Sequence, residues 1–469
     1  MALVPFLGGL AGALWRERRL SAKELKRVRD RRLASIVDHA RKSTRLYGDR
    51  LAHIDPTVPI NLAQIDPITK SELMDRFDDS IASRALSLSE VIDFAKDSQS
   101  VDDTLRGFTV ATTSGTTGRV GYFVHDTRSF AEMNGILFAR VLRHRLVPRE
   151  IARFCFGRRY RMAMVIATGG HFITRLVSGF RPLLTRALVD VQAFSIVSPV
   201  EEVVNGLNLF RPHYVHGYPT FLETLAQERR TGRLSIDPEF ISLGSEPVSA
   251  TARLALTSAF PRAQLSETYG ATECLAMANQ CSAGRLHINE DVCILEPVDR
   301  QGRPVPVCVA SDKVLLTNLV NRAQPLLRYE INDSITLLGG DCPCGSPMGS
   351  IRVEGRADDT IFLADEDGRY SSHPPVPFEA LFLSIRGLAQ YQLVHVVQNQ
   401  LEVRFVADRV ADSSSLERQL EAAFSSYLAK RRLLGTVSVR FARVDSIGRS
   451  SGHKLRQIYS EVPRPQLAV

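Results

Sequence analysis

The run Thr112-Thr113-Ser114-Gly115-Thr116-Thr117-Gly118-Arg119 is the densest cluster of small polar residues in the chain. Its glycines let the backbone turn tightly, and its hydroxyls and free N–H groups can converge on phosphate oxygens. It lacks the G-x-x-x-x-G-K-[ST] spacing of a P-loop nucleoside triphosphatase and the glycine trio of a dinucleotide-binding turn. On its own such a run also fits an ordinary polar loop. A second cluster sets Cys281-x5-His287 against Cys342-Pro343-Cys344-Gly345. Three thiolates and an imidazole suit a closed tetrahedral zinc site, structural because no position stays open. Buried, unligated cysteines are the alternative that the long gap between the pairs leaves open. Cys155, Cys274, Cys293 and Cys308 read as packing residues. The third feature is a shortage: of 59 basic residues only eight are lysine, and beyond Lys313 only Lys430 and Lys454 remain. Lys430, in "LAKRRL", reads as a solvated helix-end cation. Lys454 lies in the glycine-containing loop "GRSSGHKLRQ".

These residues need a scaffold. Apolar Leu25, Val28, Leu33, Ile36, Val37 and Ala40 recur at helical spacing, so 22–50 predicts one or two amphipathic helices. "ITKSELMDRF" predicts another, capped by Thr69 or Ser71. In the middle of the chain, β-rich runs ("RGFTVATTS", "MAMVIATGG", "HYVHGYP") alternate with helical ones ("TFLETLAQERR", "TARLALTSAF"), the pattern of a layered α/β fold. Glycine, proline and β-branched residues from Gly284 to Ile351 predict antiparallel strands wrapped on that body. After "VEGRADD" a strand, helix, two strands, helix and strand follow, a compact α+β module. The expected architecture is a large multi-layer α/β body with a β-rich subdomain at 1–357 and a small α+β domain at 358–469.

A chain of 469 residues with 44% hydrophobic and 23% charged content is an ordered, soluble type, neither disordered nor coiled-coil. The net charge of +8 is scattered among acidic residues, which disfavours nucleic acid, and the denser stretch Arg16 to Arg50 reads as a solvated helical face. Seven cysteines without a framework favour reduced thiols and a cytoplasmic setting. The longest apolar run, Leu3 to Trp15, falls short of the roughly 20 residues that span a bilayer. Arginines 16, 18 and 19 follow that run instead of preceding it, so a secretory signal is disfavoured. A helix packed on the body is expected, with an interfacial helix as the alternative.

Four further motifs follow the Ser/Thr/Gly run in order: "SETYGATE" at 266–273, "RYEIND" at 328–333, "VEGRADD" at 353–359 and "SGHKLRQ" at 451–457. With them the chain resembles the adenylate-forming superfamily, and within it the phenylacetate–coenzyme A ligase-like branch, over nearly its whole length. The resemblance implies that Thr113 and Ser114 to Gly118 hold the β- and γ-phosphates of ATP. It implies that Gly244-Ser245-Glu246-Pro247 lines the adenine, that Tyr269, followed by Gly270, packs on the purine, and that Thr272 touches the α-phosphate. Glu273 would coordinate Mg²⁺, Asp333 would accept the ribose hydroxyls, and Arg356 would make a second nucleotide contact. A hard dication suits a carboxylate, and a diol suits a bidentate acceptor. Lys454 matches the catalytic lysine and Asp358 the hinge of a swinging C-terminal domain. Similar Cys and His positions in the branch favour zinc at Cys281, His287, Cys342 and Cys344. Two departures, Val120 in place of a proline and Asn332 in place of a glycine, bear on loop closure and ribose geometry.

The acid pocket is expected from loops at strand ends, "GYFVHD", "ATGGHF" and "HGYPTF", with Phe123, His125, Phe172 and Tyr218 as an aromatic wall. His171 and His216 stay open between substrate contact and packing. The expected reaction is ATP-dependent: an aromatic or arylacetic acid is activated as acyl-adenylate with release of pyrophosphate, then passed to coenzyme A. Alternatives are an amide synthetase, a carrier-protein loading enzyme, an AMP transferase or a non-catalytic nucleotide-binding protein. A homodimer is compatible with this reading.

Overall fold

The computed structural model describes residues 2–83, 86–97, 104–113, 120–142, 159–166, 189–196, 198–245, 248, 250–299, 301–353, 361–373, 377–378, 381–382, 384–407, 413–447 and 458–462. Three separate apolar cores organise them. The first joins the N-terminal helices to the antiparallel strands through residues such as Tyr47, Met74, Val110, Met277 and Tyr329. The second lies on the parallel strands. The third runs from Ile361 to Ile458.

A nine-stranded sheet carries the body, in the order β13-β14-β9-β8-β7-β6-β5-β3-β4. Strands β3 (Tyr160–Ile166), β4 (Val189–Ser195), β5 (Tyr214–Gly217), β6 (Phe240–Leu243) and β7 (Gln264–Ala271) are parallel. Strands β8 (Cys274–Gln280), β9 (Leu286–Ile288), β13 (Ile335–Leu338) and β14 (Ser350–Val353) continue the sheet antiparallel. The parallel strands are joined through α8 (Val200–Phe210), α9 (Pro219–Arg230) and α10 (Ala250–Ala259). Buried Leu207, Phe221, Leu225 and Leu256 of these helices meet Val165, Val215 and Ile241 of the strands in one core. A three-stranded sheet, β10 (Cys293–Val298), β11 (Lys313–Asn318) and β12 (Tyr329–Ile331), and a hairpin, β1 (Phe108–Thr112) with β2 (Tyr122–Asp126), complete the body. "GYFVHD" is largely strand β2, a β-rich run and not the loop at a strand end that the pocket reading takes it for: Val110 pairs with Val124 and Ala111 with Phe123, all four in the first core.

The N-terminal apolar run is a helix, α1 (Leu3–Arg19), packed on α7 (Thr127–Leu142). Glycines make the close crossing: a side chain on Gly9 would strike the Glu132 carbonyl, and one on Gly135 the Phe6 carbonyl. No described helix is long and apolar enough to cross a membrane. The basic stretch that follows is only partly solvated. Lys26 and Lys42 are exposed, but Arg16, Arg29 and Arg32 turn inward to Asp291, Glu290 and Glu132. A seam of acids from distant sequence, buried at Asp291 and half-buried at Glu290 and Glu132 and invisible in helical periodicity, corrects the solvated-face reading.

The residues from Ile361 onward form a hairpin, β15 (Ile361–Ala364) with β16 (Tyr370–His373), and a four-stranded sheet of β17 (Leu388–Val397), β18 (Gln400–Ala407), β19 (Ser438–Arg443) and β20 (Ile458–Ser460), ordered β19-β18-β17-β20. In β18 (Gln400–Ala407) Leu401, Val403 and Phe405 alternate inward against Leu416, Leu420 and Phe424 of α11 (Ser413–Lys430).

Candidate functional site

The Ser/Thr/Gly run emerges from the β1–β2 hairpin. Its neck is closed by paired bonds: Thr113 N donates to the Gly121 carbonyl at 2.9 Å, and Gly121 N donates to Thr113 Oγ1 at 2.8 Å. Ser114, Gly115, Thr116, Thr117 and Gly118 lie outside the described residues.

Across from it, β7 and β8 form a tight hairpin whose two-residue turn is Thr272-Glu273. The strand bulges between Tyr269 and Ala271, and a side chain at Gly270 would strike the Leu275 carbonyl, so Tyr-Gly-Ala-Thr-Glu needs its glycine for close backbone approach. The turn is pinned from beneath. His125 Nε2 lies 3.2 Å from the Thr272 carbonyl, and Asn318 Nδ2 donates to the Glu273 carbonyl at 2.8 Å. Tyr269 Oη donates to Asp333 Oδ2 at 2.9 Å, joining the hairpin to the connection between β12 and β13.

Glu273 is buried, and burial raises its carboxyl above the ordinary carboxylate value; Lys70 and the Tyr329 hydroxyl oppose the rise. Lys70 arrives through a small splice: Ile68 bridges Tyr329 in parallel, Thr69 caps α4 (Lys70–Asp75), and the lysine opens that helix. The sequence analysis missed Lys70 and Tyr329. The signal that could have found the first was the lysine shortage itself.

At the end of β6, Gly244 N donates to the Gly217 carbonyl at 3.4 Å, and a side chain at 244 would lie 2.8 Å from Thr268 Oγ1. Ser245 follows with φ 68°, a left-handed backbone a serine rarely adopts. Glu246, Pro247, Phe172, Arg356, Asp358 and Lys454 lie outside the described residues. Of the expected aromatic wall, Phe123 is 1% exposed and packs edge-on to Tyr329, while His125 is fully buried, lowered to about 4 by burial, beneath Thr272. His125 supports the turn from below, and both side chains are buried. Tyr218 is buried at the start of α9.

The cysteine pairs do converge. The ligand atoms of Cys281, His287, Cys342 and Cys344 all lie within 4.8 Å of one another. Cys281 Sγ is 3.6 Å from Cys342 Sγ, and Cys344 Sγ is 3.4 Å from His287 Nε2. His287 Nδ1 lies 2.7 Å from the Met348 carbonyl, which fixes its proton there and leaves the Nε2 lone pair facing the thiols. Ser346 N donates to Cys344 Sγ at 3.4 Å. The set, three sulfurs and one imidazole with an outer hydrogen bond, fits zinc.

Comparison with known proteins gives the family and the fold. The model of the family described as AMP-binding enzyme matches residues 27–312. A phenylacetate-coenzyme A ligase of Thermus thermophilus is 28% identical over 382 residues, 74% of this chain and 80% of that protein. The fold is shared with 2-hydroxyisobutyryl-CoA ligase in complex with 2-HIB-AMP and CoA in the thioesterification state, with 18% identity, coverage of 95% of this chain and 91% of that chain, and a TM-score of 0.59. The same ligase in the postadenylation state gives 18% identity, the same coverages, and a TM-score of 0.55.

Proposed function

Because the chain belongs to the AMP-binding enzyme family, we propose that it is an AMP-forming acid–thiol ligase acting on an aromatic or arylacetic acid and coenzyme A. The observation that carries this reading is the Tyr269–Asp333 bond beside buried Glu273, which brings "YGATE" and "RYEIND" into one site. In the first step the acid's carboxylate oxygen attacks the α-phosphorus of ATP, the bond to pyrophosphate breaks, and acyl-adenylate forms. In the second the coenzyme A thiol loses its proton and attacks the acyl carbon, and AMP leaves.

Each residue has a role in this scheme. Thr113 to Gly118 embrace the β- and γ-phosphates, Gly244 to Pro247 and Tyr269 hold the purine, and Asp333 and Arg356 fix the ribose and nucleotide. Thr272 meets the α-phosphate. Glu273 is the carboxylate that would hold Mg²⁺, whose charge offsets that of the phosphates. Its burial with little opposing positive charge fits such a ligand. Lys454 stabilises the transferring phosphoryl oxygens during adenylation. A division into 1–357 and 358–469, hinged at Asp358, is supported by the separate core from Ile361 onward. Cys281, His287, Cys342 and Cys344 would hold structural zinc, binding the β8–β9 turn to the β13–β14 connection. The described cysteines are free, which supports a reducing cytoplasm.

The test is acid-dependent exchange of labelled pyrophosphate into ATP across a carboxylic-acid panel, followed by product analysis with coenzyme A. Exchange and thioester are expected, with loss of exchange in Lys454→Ala. Absence of exchange with every acid rejects the enzyme reading; exchange without thioester moves the acceptor to an amine or carrier protein. Metal analysis of the purified protein tests the zinc site, with one zinc per chain expected.

A further inference from the structure

His216 is in an unusual position for a strand histidine. Strand β5 is interior to the nine-stranded sheet, between β3 and β6. Tyr214, Val215 and Gly217 are buried, while His216 keeps accessible surface. In an interior strand beneath packed helices, a side chain stays accessible only where a cleft reaches the sheet. This residue sits near the C-terminal ends of the parallel strands, where open α/β sheets receive ligands. Its ring lies against the backbone at the end of the next strand: a side chain on Gly244 would come 3.1 Å from His216 Cε1. The surroundings are dry, since burial lowers the imidazole to about 4, so the ring is neutral at physiological pH.

A chain of hydroxyls sets its tautomer. His216 Nδ1 lies 3.1 Å from Ser242 Oγ, and the Ser242 hydroxyl also faces the phenol of Tyr214, where it opposes the rise that burial causes; Tyr214 stacks on Phe240 at 5.4 Å. Every buried donor in the chain finds an acceptor when Tyr214 donates to Ser242 and Ser242 donates to Nδ1. The reverse direction leaves the buried Tyr214 proton without an acceptor in this chain. Nε2 then carries the ring proton, and it makes no hydrogen bond among the described residues.

We propose that His216 determines acid specificity: its Nε2–H, held by Ser242 and Tyr214, donates to an oxygen or heteroatom acceptor on the acyl body. The enzyme would select hydroxy-, oxo- or heteroaromatic acids over the corresponding plain hydrocarbon acids. This rests on the ligase reading above and adds the substrate class. A site built to bond a polar substituent rejects the analogue that lacks it, because its own polar group is left unpaired.

The experiment measures kcat/KM for pyrophosphate exchange, in the full-length protein, with benzoate against its three hydroxybenzoates and phenylacetate against mandelate and the ring-hydroxylated phenylacetates. The wild type should favour at least one oxygen-bearing member. His216→Phe should lower that member by about 100-fold or more while its parent changes by less than about threefold. His216→Gln, which keeps a donor, should restore part of the difference. Equal loss across a pair, or no pair in which the wild type favours the oxygenated acid, overturns the proposal. If no acid supports exchange, the ligase reading has failed separately. The His216 part is then decided by long-range ¹H–¹⁵N NMR of the histidine rings: an Nε2–H tautomer upholds it, and an Nδ1–H tautomer overturns it.

Discussion

Two buried carboxylates, Asp291 and Glu273, lie a few strands apart and have opposite characters. Burial alone would raise both. Around Asp291, Arg140, Arg16 and Arg32 outweigh it and bring the carboxyl down to about 2. Arg16 Nε reaches Oδ2 at 2.6 Å, Arg140 Nη2 reaches Oδ1 at 3.1 Å, and Arg32 Nη1 donates to the Asp291 carbonyl at 2.8 Å. Arg140 is held in turn by Glu17 at 2.8 Å. Around Glu273 the only cation among the causes of its shift is Lys70, and the carboxyl stays raised. One carboxylate has its charge answered within the chain and locks α1, α2 (Ala22–Ser43) and α7 to the turn before β10. The other is left short of positive charge, which suits a residue whose partner arrives with the substrate.

The largest way to break this contrast is Asp291→Ala. It strands the fully buried Arg140 and should lower unfolding free energy by about 3–5 kcal/mol, measured by urea denaturation. Adding Arg140→Met should recover part of that loss, since the orphaned charge goes with it. A neutral Asp291→Ala would mean the seam contributes nothing and the contrast is false. Glu273→Gln should behave in the opposite way. Pyrophosphate exchange should fall about 100- to 1,000-fold, while stability holds or rises, because a buried carboxyl short of countercharge is removed.

Acid titration sharpens the same comparison at smaller scale. The folded value of Asp291 lies below its unfolded value, so its contribution is present above pH 4 and disappears as pH falls toward 2. From 3.8 to about 2 this amounts to roughly 2 kcal/mol. Asp291→Asn should flatten that segment of the stability curve. Glu273 has the reverse sign: its folded value is raised, so its contribution is full below the unfolded value and is lost as pH rises through the folded one. Glu273→Gln should remove a loss of stability on the alkaline side of pH 4.5.

The contrast also explains what could be read from the residues in order. Glu273 belongs to a five-residue segment whose spacing is set by one hairpin turn, so Tyr269, Gly270, Thr272 and Glu273 were legible together. The alternation of strands and helices gave the parallel sheet, and the local C-P-C-G turn suggested two sulfurs facing one point. Asp291 was illegible because its partners stand 275, 259 and 151 positions away, on faces that look solvent-exposed by periodicity alone. Lys70 was missed for a similar reason, since its helix reaches the site through contacts distant in sequence, such as the Ile68–Tyr329 bridge. The burial of Phe123 and His125 was not legible, because Tyr122, Phe123 and Val124 are apolar in succession and give no alternation that would separate the two faces of β2.

The smallest effect concerns Tyr269, which contributes a ring and a hydroxyl that can be separated. Its Oη donates to Asp333 Oδ2 and so orients the carboxylate that would accept the ribose hydroxyls in the proposed scheme. Tyr269→Phe keeps the ring for the purine and removes only the bond that orients the carboxylate. One hydrogen bond to a charged acceptor contributes about 1.5 kcal/mol, so KM for ATP should rise about tenfold. The kcat for exchange should stay within about twofold if that bond is equally strong in ground and transition states. Asp333→Asn, which weakens the acceptor itself, should raise KM further and make Tyr269→Phe nearly silent in the double variant, since both act through one contact. Additive effects would separate Tyr269 from Asp333, leaving the nucleotide side without the orienting contact that ties its two motifs together.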